Sequence, residues 1–224
     1  MTRKTLFITG ASSGIGAATA RAAVDAGWNV GLMARSADKI TALAEELGGA
    51  ALALPGDVTQ LAVQEQGLLA LQEAFGAVDA AYANAGMGLS TPGTENGDPK
   101  EWEALVQLNI LGLLYTAKAA MPYLKETQGQ MVLTGSVAGR QHIKGSIYGA
   151  SKWFVHGYAG NLAEEMREWG GRCTVIAPGM VDTPFFDTPR PDKLMPEDVA
   201  EAVMLALNAN PRNTVREVFL FPTN

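Results

Sequence analysis

Residues 5–26 read TLFITGASSGIGAATARAAVDA. The opening run, Thr5 to Thr9, is apolar or β-branched with no polar alternation. Such a run fits a strand covered on both faces, as in a parallel sheet. A glycine-rich turn follows at once, and a helical pattern runs from Gly14 to Ala26. A turn of that kind leaves backbone N–H groups free at the positive end of the helix dipole. A pyrophosphate is well held there. Gly10 ends the strand, and Gly14 and Gly16 open the helix. A Cβ at these positions would block close backbone approach and restrict the turn. The spacing departs from the common G-x-G-x-x-G fingerprint, so the reading rests on position: first strand, first turn, first helix.

The theme repeats along the chain. Candidate strands lie at 5–9, 29–34, 50–54, 78–83, 130–134, 173–177 and 215–221. Candidate helices lie at 14–26, 39–47, 61–75, 99–125, 148–169 and 196–208. Alternating β and α segments predict an α/β fold: a doubly wound, parallel, seven-stranded sheet flanked by helices on both faces. No linker or repeat divides the 224 residues, which are read as a single domain over 1–224 with one core. The loops at 86–98, 139–147 and 183–195 all follow candidate strands. Ligands of open parallel sheets bind outside the strands' carboxyl ends, so these loops are expected to frame the site.

Composition removes several function classes. The net charge of −6 argues against non-specific nucleic-acid binding, which needs a basic face. Cys173 is the sole cysteine and sits in the apolar run CTVIA, so a disulfide within the chain is impossible and a reducing compartment fits. The two histidines and one cysteine give no zinc spacing, and no metal site is expected. No stretch approaches the ~20 apolar residues of a membrane span. The expectation is a soluble cytoplasmic protein.

Candidate cofactor contacts follow from the order of the elements. The first is the glycine loop: Gly10, Ser12, Ser13, Gly14, Ile15 and Gly16. The second strand ends GLMARS, where an NAD site would carry an acidic residue for the ribose hydroxyls. Arg35 and Ser36 stand there instead. A guanidinium can grip a 2′-phosphate in two hydrogen bonds, so NADP (NADPH) is preferred over NAD. Asp57 and Val58, in PGDVT, can flank an adenine, although Asp57 also fits a helix cap. The small-residue loop Asn84, Ala85 and Gly86 lets the chain run close to a dinucleotide.

The acid–base candidates lie further on. Tyr148 and Lys152 are four apart in YGASK, one helical turn, and Ser136 ends the apolar run MVLTGS. A phenol titrates near 10, and an ammonium on the same helix face is expected to lower that value. Tyr148 could then pass a proton to or from a substrate oxygen, with Ser136 hydrogen-bonding the same atom.

Taken together, TGASSGIG, Asp57–Val58, Asn84–Gly86, LNILG with Asn109, Ser136, YGASK and PGMVDTP resemble the short-chain dehydrogenase/reductase family over nearly the whole chain. The resemblance implies a Rossmann-type fold and an NADP-dependent oxidoreductase interconverting a small alcohol and its carbonyl compound. It implies a catalytic tetrad of Asn109, Ser136, Tyr148 and Lys152, with Tyr148 as general acid/base. Lys152 would also hold the nicotinamide ribose, and Asn109 would maintain a water in a proton relay. Pro178, Gly179, Val181 and Thr183 would meet the nicotinamide end. The family also implies a homodimer or homotetramer through the helices at 99–125 and 148–169. Ala83 stands where the family often has a first asparagine. Substrate-side candidates are Met87, Gln141, His142, Met180, Phe185 and Phe186, and the short loop at 183–195 predicts an open, permissive site. The rival reading is a dinucleotide sensor or scaffold of the same fold without turnover.

Overall fold

The first strand, β1 (Thr5–Thr9), sends Leu6 and Ile8 to one face of the sheet and Phe7 to the other, and all five residues are buried. This is why its sequence lacks alternation: each side chain meets a helix layer. The computed structural model describes residues 3–91 and 93–223. Pro92, within the predicted loop 86–98, lies outside the described residues.

The remaining strands are β2 (Asn29–Ala34), β3 (Ala51–Pro55), β4 (Ala80–Ala83), β5 (Gln130–Thr134), β6 (Arg172–Pro178) and β7 (Glu217–Leu220). All pairings are parallel, in the order β3-β2-β1-β4-β5-β6-β7. The chain runs outward from β1 to β3, then returns to place β4 on the other side of β1, with Ile8 in register with Tyr82. The crevice at that reversal opens beyond Thr9 and Ala83, where the glycine loop begins. A doubly wound sheet binds its ligands at such a point.

One helix layer holds α1 (Gly14–Asp25), α2 (Ala37–Leu47) and α7 (Pro196–Leu207). It packs on Leu6, Ile8, Leu32, Tyr82 and Ile176. The opposite layer holds α3 (Leu61–Phe75), α4 (Pro99–Val106), α5 (Leu113–Thr127) and α6 (Ile147–Arg167). Phe7, Met33, Met131, Leu133 and Val175 meet that layer. Cys173 is buried there, and burial pushes its thiol up to about 12, as fits a packing residue.

Two differences from the sequence reading matter. The helix expected over 99–125 is broken into α4, a π-helical turn over Gln107–Gly112, and α5. Such single-turn widenings often accompany functional sites. Asn109 lies in this turn. The rod from Pro99 to Thr127, 29 residues long, is long and apolar enough to span a bilayer by length and composition alone. In the fold its apolar residues Leu105, Ala117, Ala120 and Leu124 are buried. The edge strand is also shorter than expected, Glu217–Leu220 rather than 215–221.

Candidate active site

Local chemistry fixes the ends of the elements that carry the site. Asp98 caps α4 by accepting the Lys100 N–H at 2.9 Å, with Pro99 at the first helical position. Ser146 caps α6 by accepting the Gly149 N–H at 2.9 Å. That cap sets the start of the helix presenting Tyr148 and Lys152. At α1, Ser13 occupies the cap position but its side chain caps nothing. The first-turn N–H groups are therefore left to the crevice.

A cavity of about 370 Å³ occupies that crevice. Gly10, with φ of 67°, adopts a conformation that side-chained residues rarely take. A Cβ on Gly16 would stand 2.3 Å from the Gly10 carbonyl oxygen. The loop is a cradle that side chains would fill. Its residues Gly10, Ser12, Ser13, Gly14 and Ile15 line the cavity, whereas Gly16 is packed beneath. The cradle suits a pyrophosphate.

The neighbouring candidates fall into place around it. Arg35 and Ser36 line one end, at the tip of β2. The Arg35 side chain is exposed and has no hydrogen bond or ion pair among the described residues. Asp57 lines the same end and forms a local turn, accepting the Thr59 N–H at 2.9 Å and its hydroxyl at 2.8 Å. It does not cap α3, whose cap position is Gln60. Val58 lines the cavity and also packs into the core.

Asn84, Ala85 and Gly86 line the middle, and Asn84 does more than make room. Its amide donates to the Thr9 carbonyl at 3.1 Å and accepts from the Thr134 hydroxyl at 3.2 Å. Its backbone N–H donates to the Thr9 hydroxyl at 3.0 Å. Asn84 thus ties together the carboxyl ends of β1, β4 and β5.

Ser136, Tyr148 and Lys152 meet at the other end, with Pro178, Gly179, Val181 and Thr183 beside them. Ser136 follows β5, and its hydroxyl oxygen accepts the Ala138 N–H at 3.1 Å. The hydroxyl proton has only a long contact, 3.4 Å, to the Pro178 carbonyl. The Lys152 ammonium donates to the Thr134 carbonyl at 2.8 Å. Asn109 accepts the Met87 N–H at 2.9 Å, donates to the Met87 carbonyl at 3.0 Å, and contacts the Ser151 hydroxyl at 3.3 Å. Ser151 in turn donates to the Tyr148 carbonyl at 2.7 Å. The π-helical turn therefore clamps the loop after β4 to the helix bearing the phenol.

The expected electrostatics need correction. The i, i+4 spacing predicts that Lys152 lowers the phenol. Instead, burial raises Tyr148 above its ordinary value, and the contact with Ser136 only partly opposes this. The ammonium lies 5.7 Å from the ring centroid, turned to Thr134. Burial likewise pulls Lys152 down to about 8. Desolvation penalises both charged forms and outweighs helical adjacency.

The substrate-side candidates divide. Met87, Phe185 and Phe186 line the cavity. The Phe185 ring lies 5.6 Å from the Tyr148 ring and 5.2 Å from Phe186. The segment carrying these rings is pinned at its base by the Val181–Leu194 bridge. The Arg190 N–H, donating to Asp182 at 2.9 Å, and the Arg190 guanidinium over Phe186 hold it further. Gln141, His142 and Met180 do not line the cavity. The loop after Gly139 turns outward, so His142 packs tilted beside Trp153, and the Gln141 carbonyl accepts the Trp153 indole N–H at 3.4 Å. Met180 is exposed, and its carbonyl serves the flap base by accepting from Leu194 at 3.2 Å. Sequence reading missed Thr134, Ser151 and Leu108, which the fold brings to or beside the site.

A glycine-rich cradle and the Ser136, Tyr148 and Lys152 side chains share one switch-point crevice of a doubly wound α/β sheet. Comparisons with known proteins show the family. A family model described as short chain dehydrogenase matches residues 4–194. An uncharacterized oxidoreductase of Staphylococcus aureus strain MRSA252 is 36% identical over 228 residues, covering 99% of this chain and 98% of that one. Among solved structures, an alcohol dehydrogenase from the archaeon Thermococcus sibiricus, complexed with 5-hydroxy-NADP, matches with a TM-score of 0.91 and 31% identity. It covers 99% of this chain and 97% of its own. A 3-ketoacyl-(acyl-carrier-protein) reductase from Brucella melitensis, complexed with NADH, matches with a TM-score of 0.89 and 27% identity, covering 97% of each chain. The chain belongs to the short-chain dehydrogenase/reductase family and is an oxidoreductase acting on alcohol and carbonyl groups.

Proposed function

We propose that the protein is an NADP(H)-dependent reductase/dehydrogenase of small, uncharged carbonyl compounds and their alcohols, with Tyr148 as general acid/base. The observation that carries this reading is the convergence of Ser136, Tyr148 and Lys152 on the cavity that the glycine loop and Arg35 also line. The dinucleotide, when bound, supplies the hydride for reduction or accepts it in oxidation. Gly10, Ser12, Ser13, Gly14 and Ile15 would hold its pyrophosphate, and Arg35 with Ser36 its 2′-phosphate. Asp57 and Val58 would flank the adenine, and Pro178, Gly179, Val181 and Thr183 the nicotinamide.

The protein's own groups then divide the proton work. Ser136 has its oxygen engaged by Ala138, so its proton is available to a substrate oxygen. Tyr148, kept protonated by burial, donates to that oxygen during reduction. Lys152 spends one N–H on Thr134 and retains two for a ribose hydroxyl and the phenol. Asn109 supports the relay by fixing Met87 and Ser151.

Substrate class follows from what lines the reacting end. Met87, Phe185 and Phe186 are apolar, and the one cation lining that end among the described residues, Lys152, donates to Thr134 and is reserved for the ribose and the phenol. Among the described residues lining that end, no arginine or second lysine offers an ion-pair partner to a carboxylate or phosphate, so neutral ketones, aldehydes and diketones fit. In a panel of such compounds, NADPH oxidation followed by absorbance is expected with several, at higher kcat/KM than for their carboxylated analogues. Turnover confined to one charged substrate would refute this substrate class. Arg35→Asp should lower kcat/KM for NADPH by roughly 10- to 100-fold, from a lost charge-assisted contact and added repulsion, while leaving or raising that for NADH. An unchanged NADPH-to-NADH ratio would remove Arg35 from cofactor choice. Trp153, exposed on α6, and the stacked Phe154–Tyr158 pair support a homodimer or homotetramer through that helix.

A further inference from the structure

Tyr148 and Lys152 continue a series. Another four residues along α6 stands His156, whose side chain is fully buried. Its Nε2 lies 3.1 Å from the carbonyl oxygen of Ser136. Its Nδ1 lies 3.0 Å from the Glu217 carboxylate on β7. Glu217 also takes the Arg140 guanidinium at 2.5 Å, and Arg140 ends the short turn that begins at Ser136. The ring has a fitted slot. A Cβ on Gly135 would stand 2.8 Å from Nε2, and one on Gly139 would stand 2.5 Å from the ring carbon beside it. Phe219 stacks across from it, with centroids 5.9 Å apart and planes at 19°.

From this geometry we infer that His156 is a positioning residue. It holds Ser136 by its main-chain carbonyl, and Glu217 and Arg140 fix the ring from behind. The inference rests on the proposed role of Ser136 at the substrate oxygen. Ser136 sits on a turn, outside the sheet ladder. The Ser136 carbonyl receives the Gly139 N–H at 2.9 Å and His156 at 3.1 Å. Those two bonds, with the Ala138 N–H on the hydroxyl oxygen, determine where the hydroxyl proton points. Both ring partners are acceptors, so the ring serves them together only with both nitrogens protonated; a neutral tautomer drops one contact. Losing the carbonyl contact frees the turn, and a displacement near 1 Å at a reacting group costs about 100-fold in rate.

The test compares wild type with His156→Phe, His156→Gln and Glu217→Gln. His156→Phe is expected to lower kcat roughly 10- to 100-fold while the Kd for NADPH stays within about threefold, because the cradle is remote from the ring. A glutamine amide can replace the Nε2–H toward Ser136, and Arg140 still pairs Glu217, so His156→Gln should recover to within about fivefold of wild type. Should His156→Phe fail to fold, Glu217→Gln keeps the ring but loosens its orientation, and should lower kcat roughly 3- to 10-fold at unchanged NADPH affinity. Amide hydrogen exchange over residues 135–140 is the readout that needs no turnover, and it should accelerate about tenfold or more in whichever variant loses the anchor. Wild-type kcat in the Phe or Glu217 variant, a Gln variant as slow as Phe, or unaltered exchange would overturn the inference. An inactive wild type with accelerated exchange in the variant would instead overturn the catalytic reading and leave the anchor standing.

Discussion

Tyr148→Phe is expected to abolish turnover while leaving the dinucleotide in place. The substitution removes one oxygen. The ring keeps its packing beside Phe185, 5.6 Å away, and the glycine cradle belongs to a separate element, the turn between β1 and α1. The Kd for NADPH, read by fluorescence titration, should therefore change by less than about threefold. The rate should fall by roughly 100- to 10,000-fold, the usual worth of a positioned acid or base. No neighbouring group takes over: an aliphatic hydroxyl such as that of Ser136 can hydrogen-bond the substrate oxygen but is too weak an acid to give up its proton, and the Lys152 ammonium is turned to the Thr134 carbonyl. The wild-type pH dependence carries a second sign. Burial raises the Tyr148 pKa, so the phenol remains protonated through neutral pH. Reduction uses that form directly. Oxidation needs phenolate, so alcohol oxidation should climb with pH into the alkaline range and flatten in the Phe variant. Substantial residual turnover in the variant would overturn the role given to Tyr148 and move the proton transfer elsewhere.

The parts of this site that were legible in the sequence are those written in one local stretch. The strand–turn–helix of residues 5–25 announces itself because a doubly covered strand has no alternation and a cradle needs glycine. Tyr148 and Lys152 are visible because i, i+4 means one helix face. What stayed hidden depends on elements distant in sequence. Asn84 reads as a cofactor contact in a small-residue loop, yet its amide bridges to Thr9 and Thr134, residues that only the sheet order makes neighbours. Asn109 reads as mid-helix, because a π-helical turn has no signature in spacing. Gln141 and His142 read as site residues because their loop follows β5. Loop position says nothing of direction, and this loop turns outward onto Trp153. His156 offered a signal, the next step of the same four-residue period, but its partner Glu217 is 61 residues away. The sign of the tyrosine shift was misread for a related reason. Helical adjacency is local, whereas desolvation belongs to the whole surrounding fold.

The same desolvation makes a prediction about stability. Lys152→Met should make the folded protein harder to unfold at neutral pH while removing most of its activity. The ammonium is enclosed, and its pKa falls from 10.5 to about 8. That fall measures the cost of holding the charge inside, on the order of 3 kcal/mol. The sign follows from proton binding. Between about pH 8 and 10.5 the unfolded chain keeps the lysine proton and the folded chain does not, so wild-type stability rises with pH across that window. Below about pH 8 both states are protonated and the folded state bears the full penalty. Methionine keeps the apolar stem and carries no charge, but it surrenders the bond to the Thr134 carbonyl, worth about 1 kcal/mol. The net expectation is a gain on the order of 2 kcal/mol near pH 7 in urea unfolding, shrinking toward zero or reversing as pH approaches about 10. An equal gain at both pH values would assign the effect to packing and not to the buried charge. A loss at neutral pH would mean that the Thr134 bond outweighs desolvation. The activity arm should move the opposite way: without the ammonium, Tyr148 loses its cationic neighbour and the ribose a donor, so kcat should drop by roughly 100-fold or more. A variant that is firmer and idle identifies Lys152 as a residue retained for chemistry at the expense of the fold, the trade-off expected where an active site needs a charge the interior resists.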